Sequence, residues 1–239
     1  MKKVFRLIYN LAPLQFNKIL RRIRDFYQWD IYYQKSWSQE GEDLILSRYF
    51  ENLKTNGFYV DVGAHHPLRF SNTYKFYKQG WHGINIDAMP GSMDLFNRLR
   101  PRDINLEKAV SDSKQIMTYY AFNEPALNGF SKELTQHRDG QGNNKIIFKK
   151  DIETSTLEEI LDQYMPKGQN IDFLSVDVEG LDFAVLKSNN WVKYSPELIL
   201  IEICGSMLDE LLNNEVTIFL RQFGYTICAK CMNTVIFKK

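Results

Sequence analysis

The chain has 239 residues, which is long enough for one α/β domain with a substantial core and short for two such domains. A hydrophobic fraction of 44% and a charged fraction of 25% exclude a largely disordered chain. No apolar run reaches the roughly 18 residues that a spanning helix requires, so the composition indicates a globular protein rather than a membrane-spanning one.

The net charge of +1 conceals a basic N-terminal arm. Residues 1–30 contain seven basic and two acidic residues, a net charge of +5, whereas the remainder of the chain carries −4. Apolar residues recur between these charges at roughly helical spacing, which predicts a basic amphipathic arm over 1–35 and one domain over 36–239. Because that domain is net acidic, nucleic acid is not an expected partner.

Three roles are open to the arm. It could pack on its own domain as a helical extension, which the sequence favours, dock on a partner, or rest on anionic lipid. Arg6 interrupts the apolar region and no small-residue cleavage site follows, so the arm is a poor match to a signal peptide. We therefore expect a cytoplasmic protein, in which residues 1–30 are the candidate for peripheral contact with the inner face of the membrane.

The stretch GFYVDVGAHH over residues 57–66 predicts a buried parallel strand that ends at a ligand. Its apolar run contains Asp61 and is followed by Gly63 and Ala64. Small residues let the backbone approach a ligand closely, and a carboxylate at the strand tip can accept hydrogen bonds from a ribose or an ammonium group. The simpler alternative is that Gly63 is a turn glycine and Asp61 a helix cap.

The next two predicted strands also end in polar residues. The strand at 84–87 ends in Asp87, which Ala88 follows, and the strand at 104–111 ends in Ser111, which Asp112 follows. Asp87 follows Asp61 by 26 residues, close to the roughly 20 expected of an acid that holds a ribose. The carboxyl ends of parallel strands meet at one edge of a sheet, where ligands of open α/β folds bind. These tips therefore indicate a nucleotide-like cofactor site.

The second half of the chain continues to alternate between strands and helices, with strands predicted at 116–122, 171–176, 198–203, 225–229 and 233–237. Residues 123–144 have no clear period and predict a lid near a substrate site, although a mobile surface loop fits equally well. The strand at 171–176 is followed by Asp177 and Glu179, and Glu202 lies near the end of the strand at 198–203. The alternation predicts a doubly wound α/β sheet.

In order, the segments SQEGED, FYVDVGAHHP, GINIDA, AVSD, IDFLSVDVEGLDFAVLK and LILIEI resemble those of the FkbM-type S-adenosylmethionine-dependent methyltransferases. The likeness covers roughly residues 36–205. It implies the class I methyltransferase fold, a Rossmann-like three-layer arrangement around a mostly parallel seven-stranded sheet whose last strand is antiparallel. It also implies that S-adenosylmethionine binds at the carboxyl edge of that sheet.

The resemblance implies a role for each strand tip. Asp61, Gly63 and Ala64 match the first cofactor loop, near the methionine part of the cofactor. The other implied cofactor contacts are Asp87 with Ala88 at the ribose hydroxyls, Ser111 with Asp112 beside the adenine, and Asp177 by the methyl group. The family usually has a further glycine in the first loop, where this chain has His65, His66 and Pro67. These histidines could also line the acceptor site.

Methyl transfer to a hydroxyl requires a base, because a sugar hydroxyl is a very weak acid. On the motif we rank Asp177 and Glu179 first and His65 or His66 next, with Glu202 as a further candidate. Asp177 and Glu179 could instead cap the helix that follows them. A divalent metal held by Asp177, Glu179 and Glu202 is compatible with the preference of hard cations for carboxylates, but it is not the favoured interpretation.

The resulting hypothesis is an O-methyltransferase that acts on a hydroxyl of a saccharide or of a cell-surface glycan precursor, the saccharide being implied by the resemblance alone. One alternative is an NAD-dependent or sugar-nucleotide-modifying Rossmann enzyme, against which the missing GxGxxG motif argues. The other is a non-catalytic protein that binds a cofactor or docks on a partner through the arm. Acidic residues at successive strand tips argue against a docking scaffold, which has no need of them.

Overall fold

The computed structural model describes residues 14–26, 33–51, 56–205 and 207–239. The chain divides into two compact units, Met1–Lys35 and Ser36–Lys239. In the first unit the described element is helix α1, Leu14–Phe26, while the parts of the predicted arm at 1–13 and 27–32 lie outside the described residues. Within the described ranges, no helix combines the length and the apolar character that crossing a membrane demands.

The described part of the second unit contains two sheets, whose strands are β1 Phe58–Val62, β2 His82–Asp87, β3 Ile104–Glu107, β4 Ala109–Val110, β5 Ile116–Phe122, β6 Ile146–Ser155, β7 Phe173–Val176, β8 Leu198–Glu202, β9 Thr226–Lys230 and β10 Thr234–Lys238. The larger sheet has seven strands in the order β3-β2-β1-β7-β8-β10-β9. The pairs from β3 to β8 are parallel, whereas β10 is antiparallel to both of its neighbours. The predicted Rossmann-like sheet with an antiparallel last strand is confirmed.

Helices cover both faces of this sheet, and their bounds are α2 Glu42–Phe50, α3 Tyr74–Lys78, α4 Ser92–Leu99, α5 Lys132–Arg138, α6 Leu157–Tyr164, α7 Asp182–Lys187, α8 Leu208–Leu211 and α9 Glu215–Arg221. Alternate residues of β1 point to opposite faces, so Val60 packs in a core with α6, α7 and α9, while Tyr59 packs in a second core with α2 and α3. Strands buried on both faces explain the continuous apolar runs in the sequence.

The region after β3 differs from the prediction. The strand expected over 104–111 is interrupted at Lys108, whose N–H donates to the Asp87 carbonyl oxygen, and β4 then pairs with β6 in a separate three-stranded sheet. The predicted strand at 116–122 is β5, and it also pairs with β6. Strand β6 has no clear apolar pattern because most of its residues are exposed, so the sequence did not predict it.

The segment 123–144 contains regular structure where the sequence predicts only a loop or lid. A short 3₁₀ helix at Pro125–Leu127 is followed by α5, which the Ser131 hydroxyl caps by accepting the Leu134 N–H at 3.2 Å. The backbones of Tyr120 and Gly129 exchange two hydrogen bonds of 2.9 and 3.2 Å, which ties the segment to β5. It therefore lies as a folded wall beside the carboxyl edge of the main sheet, where it lines the cleft described next.

Candidate active site

A cleft of about 440 Å³ opens at the carboxyl ends of β1, β2, β7 and β8, with the segment 123–144 forming one wall. Many of the residues that the sequence singled out line it, namely Asp61, Gly63, Ala64, His65, Asp87, Ala88, Asp177, Glu179 and Glu202. Three others, His66, Ser111 and Asp112, are not among its lining residues. The topology thus brings the tips of four strands together in one concave site, as expected for an open α/β sheet.

The turn after β1 requires glycine at position 63. Its φ of +82° lies in the left-handed region, and a Cβ atom there would be 1.7 Å from the carbonyl oxygen of Asp177. The N–H groups of Gly63 and Ala64 both donate to the carbonyl oxygen of Ile86, at 2.9 and 3.0 Å. Gly63 therefore allows the tips of β1 and β7 to approach each other at the floor of the cleft.

Asp87 joins the loops that follow β1 and β2. Its two carboxylate oxygens accept the backbone N–H groups of His65 and Met89, each at 2.8 Å. Burial raises the pKa of Asp87, and these two N–H groups oppose the rise because they stabilise the charged form. The carboxylate lines the cleft with its orientation set by two backbone contacts, which suits it to accept hydrogen bonds from a ligand.

Asp61 is buried, with 5% of its surface exposed, and is held by a chain of polar contacts. Thr73 donates its hydroxyl to Asp61 at 2.9 Å, the hydroxyls of Thr73 and Ser71 are 3.2 Å apart, and Arg100 donates to Ser71 at 3.4 Å. Burial raises the pKa of Asp61, whereas the positive charge of Arg100 acts in the opposite direction. Arg100 is itself buried and paired with Asp103 at 2.8 Å.

Three carboxylates meet in the cleft near the tips of β7 and β8. Asp177, Glu179 and Glu202 each offer an oxygen atom, and these atoms all lie within 4.8 Å of one another. Asp177 opens into the cleft, but enclosure by the protein and the charge of Glu202 raise its pKa well above the usual value. The set could share a proton, accept hydrogen bonds from hydroxyls, or hold a hard cation such as Mg²⁺. The sequence interpretation without a metal stays a prediction.

Arg138 connects this cluster to the wall of the cleft. It lies at the end of α5 and donates to Glu179 at 2.6 Å, with both side chains largely buried. Burial raises the pKa of Glu179, and the hydrogen bond from Arg138 opposes that rise. Glu179 also has a φ of +52°, one of three positive values at non-glycine residues in the described chain, and the other two, His65 and Phe70, line the same cleft. Such backbone strain concentrates at functional sites.

Asp182, which the sequence analysis did not single out, shapes the loop that presents the carboxylates. Its two oxygens accept the N–H groups of Val178 and Gly180, each at 3.1 Å. These bonds fix the loop that carries Asp177 and Glu179 at the beginning of α7. Burial raises the pKa of Asp182 to about 7. An acid in the first turn of the helix predicted to follow Gly180 was the one clue to this role.

The stability of the protein should depend on pH through Asp182. Because its pKa rises from 3.8 to about 7 on folding, the folded chain keeps a proton that the unfolded chain releases between those values. The contribution of Asp182 to the free energy of unfolding is therefore greatest below pH 3.8 and falls as pH rises from 3.8 to about 7. Over this range the stability of wild type should fall by roughly 2 to 4 kcal/mol relative to Asp182→Asn. Urea unfolding of both proteins across this pH range measures the difference.

Asp162→Asn provides a matched control for this pH dependence. The side chains of Lys193 and Tyr194 hydrogen-bond to Asp162 and lower its pKa, so its contribution to stability has the opposite sign. The stability of wild type relative to that variant should not fall between pH 4 and 7. A constant difference between wild type and Asp182→Asn would contradict the raised pKa.

The two histidines are less suited than the carboxylates to act as a base. His65 lines the cleft, but burial lowers its pKa to about 4, which makes its neutral imidazole a weak base. The Nδ1 atom of His66 accepts the N–H groups of Leu68 and Arg69 at 3.0 and 2.9 Å. His66 therefore holds the turn after β1 together. The ranking of Asp177 and Glu179 above the histidines as the base stays a prediction.

Further lining residues come from positions without a sequence motif. Arg69 donates to Glu124 at 2.8 Å, an ion pair that joins the loop after β1 to the wall of the cleft. Asn72 donates to the Ser175 hydroxyl at 3.2 Å near Asp61. These contacts connect segments far apart in sequence, and no periodicity could have predicted them.

The strand order, the antiparallel last strand and the cleft at the carboxyl edge are those of a Rossmann-like methyltransferase fold. The family described as "Methyltransferase FkbM domain" matches residues 61–227, more than half of the chain. The protein belongs to the FkbM methyltransferase family, and the predicted family and fold are confirmed. A comparison with curated proteins finds no match.

Proposed function

We propose that the protein uses S-adenosylmethionine to methylate a hydroxyl group of a saccharide or of a cell-surface glycan precursor. The observation that supports this most strongly is the arrangement of the cleft. Asp61 and Asp87 lie on its wall at the tips of adjacent strands, and the carboxylates of Asp177, Glu179 and Glu202 meet in the same cleft. One group of acids is suited to a cofactor and the other to an acceptor hydroxyl.

In the cofactor half, Asp87 would accept hydrogen bonds from ribose hydroxyls, and Asp61 would face the charged amino acid end. The contact of Asp87 with two backbone N–H groups fixes its direction before a ligand arrives, which reduces the ordering cost of binding. When bound, the cofactor would supply an electrophilic methyl group on a positively charged sulfur. The chain would then have to position an acceptor, exclude water and remove one proton.

In the acceptor half, Asp177 is the proposed base. Its raised pKa increases its affinity for the proton that a hydroxyl loses during methyl transfer, compared with an ordinary aspartate. Glu179, oriented by Arg138, and Glu202 would accept hydrogen bonds from neighbouring hydroxyls. A carboxylate-rich pocket suits a neutral, polyhydroxylated acceptor and disfavours an anionic one.

The NAD-dependent alternative fits the site less well. Dinucleotide-binding folds use backbone N–H groups of the first loop and the beginning of the next helix to hold a pyrophosphate. Here the N–H groups of Gly63 and Ala64 are both engaged by the Ile86 carbonyl oxygen, and α3 begins only at Tyr74. The first turn therefore offers no such cradle.

Replacement of Asp87 by alanine should weaken binding of S-adenosylmethionine by about 10- to 100-fold, because charge-assisted hydrogen bonds of about 1.5 to 3 kcal/mol are removed. Calorimetric titration measures the change. Asp209→Ala, which removes an exposed carboxylate from α8, is the control and should bind as wild type does. Equal affinity of Asp87→Ala and wild type for S-adenosylmethionine would show that Asp87 does not bind the cofactor.

The acceptor class is tested by incubation with methyl-labelled S-adenosylmethionine and separate pools of free saccharides, lipid-linked saccharides, phenols and peptides. We expect label in a saccharide pool, bound as a base-stable ether. Transfer of label to a peptide or phenol alone would contradict the saccharide assignment while retaining methyl transfer. The same incubation with Asp177→Asn is the control. Label that wild type transfers and this variant does not is label whose transfer depends on the cleft.

A further inference from the structure

Helix α1 lies outside the methyltransferase fold, and its described side chains divide into two faces. With about 100° between successive residues, the apolar residues Phe16, Ile19 and Leu20 fall within one arc of about 100°. The basic residues Lys18, Arg21 and Arg22 fall in a separate arc on the other side. Over 16–22 the helix has no acidic residue, so the charged side chains of this stretch are all cationic, and Asp25 is the one acid in the helix.

The apolar face is accessible. Phe16 is 48% exposed and Ile19 is 53% exposed, although each is a large hydrophobic side chain. Lys18 and Arg22 are exposed as well. Neighbouring exposed apolar side chains beside cationic ones mark an interaction surface rather than an ordinary solvated helix face. The methyl-transfer proposal assigns no role to this surface, which belongs to the most basic part of the chain.

We propose that α1 lies flat on an anionic lipid bilayer. Phe16 and Ile19 would enter the boundary between headgroups and acyl chains, while Lys18 and Arg22 would reach the lipid phosphates through their long aliphatic stems. A helix of 13 residues is about 20 Å long, less than the roughly 30 Å of the hydrocarbon core, so it can rest on a bilayer but not cross it.

A bilayer fits this helix better than a groove on another protein does. An anionic membrane supplies a continuous apolar layer beneath a diffuse negative surface, which matches an apolar stripe next to several cations without requiring specific pairing. Each such cation is attracted only at short range in salt solution, so the association should depend on ionic strength. The inference does not depend on methyl transfer, since none of these residues lies in the cleft.

The test uses the full chain and vesicles of phosphatidylcholine, either pure or mixed with phosphatidylglycerol. Wild type should cosediment with the mixed vesicles at low salt, and much less with pure phosphatidylcholine or at high salt. Ile19→Asp should reduce binding to mixed vesicles by about tenfold or more, because it places a charge on the apolar face. The double variant Lys18→Glu with Arg22→Glu should also lose most of the binding.

Ile218→Asp is the matched control, because Ile218 is 51% exposed on α9 of the other unit and should not affect vesicle binding. Thermal unfolding and cofactor titration of each variant show whether the second unit remains folded. Loss of binding in Ile19→Asp but not in Ile218→Asp supports the proposal. The proposal is overturned if wild type does not bind mixed vesicles or if Ile19→Asp binds them as well as wild type does. It is also overturned if wild type binds pure phosphatidylcholine as strongly as it binds the mixed vesicles.

Discussion

Replacement of Gly63 by alanine should abolish cofactor binding and lower the free energy of unfolding by about 3 kcal/mol or more. The added Cβ would lie 1.7 Å from the Asp177 carbonyl oxygen. That oxygen is a backbone atom, so it cannot move aside as the end of a flexible side chain could. The tips of β1 and β7 would have to separate, and the residues on each tip would move relative to one another. Urea unfolding and calorimetric titration with S-adenosylhomocysteine measure the two effects.

The matched control for Gly63→Ala is Gly224→Ala. Gly224 has a similar φ of +87°, but a Cβ there would meet nothing within 4 Å. Gly224→Ala should therefore lower the free energy of unfolding by only roughly 1 to 2 kcal/mol, the cost of placing a non-glycine residue in the left-handed conformation. It should leave cofactor affinity unchanged. If Gly63→Ala bound the cofactor as tightly as wild type does, the close approach of β1 and β7 would not be essential to the site.

Replacement of Asp177 by asparagine should slow methyl transfer by about 10²- to 10⁴-fold, because an amide cannot accept the proton from the acceptor hydroxyl. Cofactor affinity should change little, since Asp61 and Asp87 are retained. In wild type the rate should rise with pH as Asp177 loses its proton, at a pH above the ordinary range of an aspartate. Asp177→Asn should lack this rise.

The measurement is the pH profile of kcat for wild type, Asp177→Asn, Glu202→Gln and Asp209→Asn. Asp209 is exposed on α8 and serves as the control for a change from carboxylate to amide. If Asp177→Asn had a normal rate and pH profile while Glu202→Gln lost the pH-dependent rise, Glu202 rather than Asp177 would be the base. A normal rate in both variants would contradict both Asp177 and Glu202 as the base.

The main sheet could be predicted from sequence because each of its central strands carries its own evidence. Strand β1 is an apolar run that contains Asp61, β7 is an apolar run before Asp177, and β8 is an apolar run that ends in Glu202. Parallel strands in an alternating chain must place these tips at the same edge. The order of the elements therefore predicts that Asp61, Asp177 and Glu202 meet, without any knowledge of their distances.

The walls of the site could not be predicted in this way. Arg138 meets Glu179 across 41 residues, in a segment whose sequence has no clear period. Strand β6 is largely exposed, so its sequence has no alternation of apolar buried residues and polar exposed residues. The partners of Asp182 are backbone N–H groups, which every residue except proline possesses, so an acid at the start of a predicted helix does not reveal which of them it accepts from. Such contacts depend on how the chain folds back, rather than on local pattern.

Calorimetric titration of the full chain with S-adenosylmethionine, S-adenosylhomocysteine and NAD tests the proposed function most directly. The proposed site predicts micromolar affinity for both sulfur compounds, no detectable binding of NAD, and a loss of affinity in Asp87→Ala. Binding of NAD alone, or of none of the three, would contradict the assignment of this cleft to S-adenosylmethionine.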